Sequence, residues 1–265
     1  MDVDLTLQTQ RPTRDVDGNA IWQPEGNPSA LPSEMRSAPA IRFRHIALLL
    51  FGGIFAGILV GLAASLGAYG FTKSRFVTGT VLVLSLYGSL ILGYHWTARE
   101  RDWISLRDRF AVVGRKPLVI GALTAPALIA VTAALGFILK AIGISLKDTP
   151  EPAILPHGWL QFPFALFAIA IVAPICEELF FRGLLLDWLK QKMNVWIAAT
   201  ILSVIFSLLH ANPFSLGAVG WLAFNHRFLM GLFASGLTIK YRSLRPAAMM
   251  HGTVNAIACI VAMAE

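Results

Sequence analysis

The sequence predicts an all-α fold, a polytopic transmembrane helix bundle of about seven spans with its N-terminus cytoplasmic. Three observations carry this. Of 265 residues, 56 % are hydrophobic and only 14 % are charged, against roughly 25 % charged in an average soluble domain. Mean hydropathy is +0.65. The apolar residues gather into seven long runs, and backbone in hydrocarbon must be satisfied within its own segment or in a closed barrel, so runs near ~20 residues mean helices.

Residues 1–44 precede the first run. They are polar, carry Pro12, Pro24, Pro28, Pro32 and Pro39, lack apolar periodicity, and read as a flexible cytoplasmic tail. Residues 45–265 form the transmembrane domain. Its first run, Ile46–Phe71, starts too late and is too long for a cleavable signal, so it reads as an anchor that stays. Gly52, Gly53, Gly57 and Gly61 give it small-residue spacing for close packing within the chain. Phe76–Trp96, Leu118–Ile144, Trp159–Leu189, Val195–His210, Ala218–Ile239 and Ala247–Ala264 follow, each bounded by charge or by Pro and Gly; the fifth is short for a span.

The net charge of +7 then sorts by side. With the N-terminus inside, sixteen Lys and Arg fall on inner segments, and only Lys73, Arg75, Lys140 and Lys147 fall outside. That asymmetry is the positive-inside rule, and it accounts for the basic pI without a nucleic-acid partner. The plasma membrane of a prokaryote is the expected location. Cys176 and Cys259 both lie in apolar runs, so there is no disulfide framework.

Arg182 and Arg227 lie within spans, and ionisable groups there cost several kcal/mol (about 2.5 or more) unless paired or hydrated. The fourth run carries Glu177, Glu178 and Arg182, the fifth ends Phe206–His210, the sixth holds His226 and Arg227, and the seventh contains His251 and Asn255. Glu178 and Arg182 are one helical turn apart, in the order in which they neutralise each other and lock the helix. Glu177 points about 100° away and has no sequence-local partner. A lone carboxyl in a low-dielectric site is a candidate general base. His251 and Asn255 share a face and serve either as oxyanion donors or as interhelical hydrogen bonds. His210, before Asn212-Pro213, is by itself better explained as a structural or capping residue, and takes its weight from the other groups. Cys176 is better read as a small buried thiol than as a nucleophile. Arg227 either meets Glu177, Glu178 or a substrate carboxylate, or sits in cavity water; His226 carries a weaker functional reading.

Taken together, Glu177-Glu178-x-x-x-Arg182, Phe206-x-x-x-His210 and His251-x-x-x-Asn255, in that order on separate apolar helices, resemble the CAAX-protease and bacteriocin-processing (CPBP, or Abi) family of intramembrane glutamic endopeptidases. Phe228–Gly231 and the lead from Arg245-Pro246 to His251 resemble its third motif and the approach to its fourth. The likeness spans roughly residues 159–265, which would be the catalytic core. It implies that Glu177 and His210 activate a water, that His251 and Asn255 stabilise the oxyanion, that Glu178 and Arg182 orient and charge-balance the site, and that Phe206 forms an aromatic wall. The implied partner is a membrane-associated peptide or protein substrate.

Neither HExxH nor G-x-S-x-G is present. No cofactor is therefore expected, although Glu177, His210 and His251 are chemically suited to zinc. The rival readings are a zinc-assisted hydrolase, a silent scaffold of the same fold and, more remotely, a proton-coupled transporter. Oligomeric state is not readable. Counted as vertical helices from the inner boundary, Glu177 lies about 20 Å up, His210 about 27 Å and His251 about 8 Å, so the sequence alone does not bring them to one depth. A reporter fused to the N-terminus is expected to face the cytoplasm, checked by protease protection in sealed vesicles.

Overall fold

The computed structural model describes residues 13–14, 20–21, 43–100, 104–146, 155–156, 158–211, 213–214 and 217–264. Most of the tail, Arg101 and Lys147 lie outside them. Within the tail, β1 (Thr13–Arg14) pairs antiparallel with β2 (Ala20–Ile21), a contact that the apolar pattern does not anticipate.

Every other described element is helical, and every expected run coincides with one. α1 (Phe43–Leu48) passes through a π-helical stretch, Leu49–Ile54, into α2 (Phe55–Thr72). α3 (Arg75–Glu100), the short α4 (Leu106–Arg109) and α5 (Arg115–Ala141) follow. The fourth run is α6 (Phe162–Ala165), a π-helical stretch Leu166–Val172, α7 (Ala173–Glu178), a second π-helical stretch Leu179–Leu185 and α8 (Leu186–Leu189). α9 (Val195–His210), α10 (Gly217–Tyr241) and α11 (Arg245–Ala262) complete the chain.

Four helical stretches among the described residues are long and apolar enough to cross a membrane: Gly52–Thr72, Arg75–Arg99, Arg115–Ala141 and Phe162–Leu189. The integral-membrane reading rests on these four. The expected seven spans are not all matched on that measure. α9 has only 16 residues, and α10 and α11 are diluted by polar groups, His226 and Arg227 on one and His251 and Asn255 on the other.

Packing explains how α11 reaches the site. Its main core is a cluster that includes Leu128, Phe181, Leu202, Phe206, Met230 and Met250. Gly252 lets α11 lie against the π-helical stretch before α7, where a Cβ would come within 2.5 Å of the Ala170 carbonyl oxygen. Gly231 does the same between α10 and α9, with Ser203 Cα 3.0 Å from the position of the missing Cβ. Gly57 and Gly61 pack on α3, which is the within-chain use expected of the small-residue spacing.

One end of the bundle is tied by a strap. Leu244 N–H donates to the Arg109 carbonyl (2.9 Å), Arg245 Nε to the Phe110 carbonyl (2.7 Å), and Ser243 Oγ to the Ala111 carbonyl (2.9 Å). Arg109 is ion-paired with Asp187. Asp187 and Leu244 therefore stand near one level, from which Glu177 is ten residues and His251 seven residues away, about 15 and 10 Å along their helices. Counting α11 from Pro246 and the fourth run from Lys190 sets Glu177 and His251 further apart than they stand, and the strap narrows that difference.

Gly252→Val and Gly231→Val should each cost about 1–3 kcal/mol by overpacking, whereas Gly88→Ala, with nothing near its Cβ, should not destabilise. Thermal unfolding of the detergent-solubilised protein distinguishes them.

Candidate active site

The π-helical stretches flank the acid pair. Ala173 N–H donates to the Ala168 carbonyl, five residues back. In that register the Ile169 carbonyl would next face the amide of residue 174, and Pro174 has no N–H to give. Asn255 Nδ2 donates to that carbonyl at 2.8 Å. One of the two amide hydrogens of Asn255 thus joins α11 to the stretch before α7, and the other is left for a second acceptor.

Glu177 and Glu178 are both buried, at 9 % and 1 % exposure. Their surroundings differ. Glu178 Oε1 accepts from Arg182 Nη1 at 3.2 Å, and Arg182 Nη2 donates to the Gly231 carbonyl at 3.0 Å. The guanidinium also stands over the Phe206 ring, 5.1 Å from its centre. The expected pair within the helix forms and extends to α10 and α9. Arg182 Nε and Glu178 Oε2 are buried without a hydrogen-bond partner among the described residues.

His251 is buried, and its two ring nitrogens face the two carboxylates. Nδ1 lies 2.9 Å from Glu178 Oε1, and Nε2 lies 3.6 Å from Glu177 Oε2. His210 Nε2 is also 3.6 Å from Glu177 Oε2, while its Nδ1 is 2.8 Å from the Phe206 carbonyl. A carbonyl and an Arg-paired carboxylate can only accept, so both Nδ1 atoms carry a hydrogen. In their neutral forms both Nε2 atoms then present lone pairs toward Glu177 Oε2. Three acceptors converging at 3.6 Å require a hydrogen donor between them or a proton on one of them.

Phe206 is fully buried and forms the wall behind both imidazoles, with ring centres 4.4 Å from His210 and 5.8 Å, edge-on, from His251. Glu177, His210 and His251 are thereby brought to one point from three elements. Arg227 is half-buried on α10 and within electrostatic range of Glu177 and His210, with no ion pair to either glutamate among the described contacts. His226 is placed otherwise. Thr132 Oγ1 donates to the Leu128 carbonyl and so accepts from His226 Nδ1 at 2.9 Å, an α5–α10 link. Cys176 is buried and its Sγ faces the Tyr87 carbonyl at 3.7 Å.

One neighbour was not foreseen. Tyr87, midway along α3, donates its phenol hydrogen to Glu177 Oε1. This fixes the carboxylate so that Oε2 alone faces the histidines. A tyrosine in an apolar run gives no sequence signal of such a role. Among the described residues no three His, Cys, Asp or Glu side chains are grouped to hold a metal ion.

Removing one partner of the buried pair leaves an uncompensated charge. Arg182→Met should cost about 3–5 kcal/mol, and Arg182→Met with Glu178→Gln should recover much of it. Chemical or thermal denaturation of the two variants in one detergent is the check.

Neither a curated protein nor a solved structure matches the chain. Residues 158–257, the segment that contains every charged and imidazole group of this site, do match the family model of the Rce1-like type II CAAX prenyl endopeptidases; over that segment the resemblance to the CPBP family is shown.

Proposed function

We propose that the chain is an intramembrane endopeptidase that hydrolyses a peptide bond of a membrane-associated substrate by direct attack of water. The observation that carries this reading is the convergence of Glu177 Oε2 on the Nε2 atoms of His210 and His251 at 3.6 Å each. The family match, which implies peptidase chemistry of the CAAX-protease type, supports it.

A water donating to Glu177 Oε2 and His210 Nε2 is held where its proton can leave as its oxygen attacks the carbonyl carbon. Negative charge then develops on the carbonyl oxygen. His251, whose Nδ1 is held by the Glu178 carboxylate, opposes that charge through an Nε2–H. The second amide hydrogen of Asn255 is the other donor. The proton taken from water passes to the departing amine as the C–N bond breaks, and no covalent enzyme intermediate forms. Tyr87 and Phe206 position Glu177 and the imidazoles. Arg227 stands where it can meet a substrate carboxylate.

The seven-span topology with a cytoplasmic N-terminus belongs to the same proposal, as does chemistry without a metal. A scaffold of this fold would not need three acceptors converging in a buried site.

Comparing the membrane proteomes of cells carrying wild type, Glu177→Gln and His210→Ala tests it. Both variants should accumulate the same uncleaved proteins, and activity should survive chelation; identical peptides in all three would mean a scaffold. Tyr87→Phe should lower turnover about 10–100-fold, the value of a hydrogen bond to a charged group, with little change in the unfolding midpoint.

A further inference from the structure

Two segments that carry the site are joined at a distance from it by one residue. Glu177 and Glu178 stand on the fourth run and His251 on α11, and the contact of His251 Nδ1 with Glu178 Oε1 at 2.9 Å holds only while the two helices keep one register. Arg109, which lies on neither, binds both. Its carbonyl accepts from Leu244 N–H at 2.9 Å, at the residue before α11. Its guanidinium is ion-paired with Asp187, nine residues beyond Glu178 on the fourth run.

The guanidinium is also held from a third side. Arg109 Nε donates to Tyr94 Oη at 3.0 Å, and that hydroxyl donates to the Ile104 carbonyl at 2.8 Å, which anchors the group to α3 and to the segment after it. Tyr94 is buried, and the Arg109 side chain is only 9 % exposed, so the charge-assisted bonds are little weakened by water. Packing closes the same triangle. Leu244 is buried with Leu179, Leu184 and Tyr94. Gly183, beside Arg182, admits it, since a Cβ there would stand 3.2 Å from Leu244 Cδ1 and 3.7 Å from Arg109 Cδ. Lys190 reaches Asp187 as well, at 2.6 Å, but from three residues along the same helix, so it ties no second element.

We propose that Arg109 is a positioning residue: it sets the register of α11 against the fourth run and so holds His251 where the reaction at Glu177 needs it. The catalytic consequence rests on the peptidase reading, whereas the register does not. A slip of about 1 Å between the two helices would open the His251–Glu178 bond and misplace the imidazole, a displacement of the size that costs a reaction about 100-fold.

Nitrogen-15 NMR of the histidine-labelled, full-length protein in detergent reads the His251 Nδ1 contact, with His251→Gln identifying its signal among the six histidines. Arg109→Met should move that signal and lower kcat about 10–100-fold on a membrane peptide that the protein cleaves, with KM little changed. Because this variant leaves a buried carboxylate short of a partner, the decisive one is Arg109→Met with Asp187→Asn, which removes both charges together with the tie. It should regain most of the unfolding midpoint yet keep the moved signal and the low kcat; a merely structural role would restore all three. Tyr94→Phe, which deletes one hydroxyl, should move the signal the same way and lower kcat about threefold, and Lys190→Gln should do neither. A wild-type nitrogen signal or a wild-type kcat in the double variant overturns the proposal, and if that variant does not fold, wild-type behaviour of Tyr94→Phe overturns it instead. The nitrogen signal needs no peptidase activity, so a wild type that cleaves nothing would sink the proposed function and leave the register to the spectrum.

Discussion

The site depends on the buried ion pair between Glu178 and Arg182. Two adjacent carboxylates in a membrane helix would repel each other and resist ionisation, and the proposed base must be charged and reactive. Arg182 resolves this by taking one of the two. Its guanidinium fills the space between Glu178, the Gly231 carbonyl and the Phe206 ring, so the same contacts that neutralise Glu178 also fix α10 and α9 relative to the fourth run. Glu178 in turn holds His251 and hence α11. Glu177, one residue away and turned by about 100°, is left to the histidines and Tyr87.

Backbone irregularity does the rest of the positioning. The π-helical stretches on either side of α7 change the register of the fourth run, and Pro174 removes a donor between them. Asn255 meets the carbonyl that this frees, and Gly252 permits the approach. The asparagine therefore combines a structural bond with a second amide hydrogen, the one that the proposed mechanism uses at the oxyanion. A substitution there disturbs both helix placement and chemistry, and kinetics alone would not separate the two.

Much of this was legible in the sequence because membrane helices are punctuated by charge. Helix limits fall close to the runs read from hydropathy, and Glu178 with Arg182 follows from spacing alone. The convergence of Glu177, His210 and His251 was legible only through the joint motif, since helix depth counted from Lys190 and Pro246 set them far apart. The strap that narrows this difference depends on backbone carbonyls of Arg109, Phe110 and Ala111, which have no sequence signature. Tyr87 escaped for a related reason: it is 90 residues from Glu177 and sits among ordinary apolar neighbours. The link from His226 to Thr132 likewise turns a suspect histidine into an interhelical bond.

The central claim is that water, activated at Glu177, attacks the peptide directly. Single-turnover cleavage in heavy-oxygen water, with hydroxylamine present as a trap, tests it on a membrane peptide that the purified protein cleaves. The account predicts one heavy oxygen in the new carboxyl group and no hydroxamate. A trapped hydroxamate would show an acyl-enzyme intermediate and contradict it.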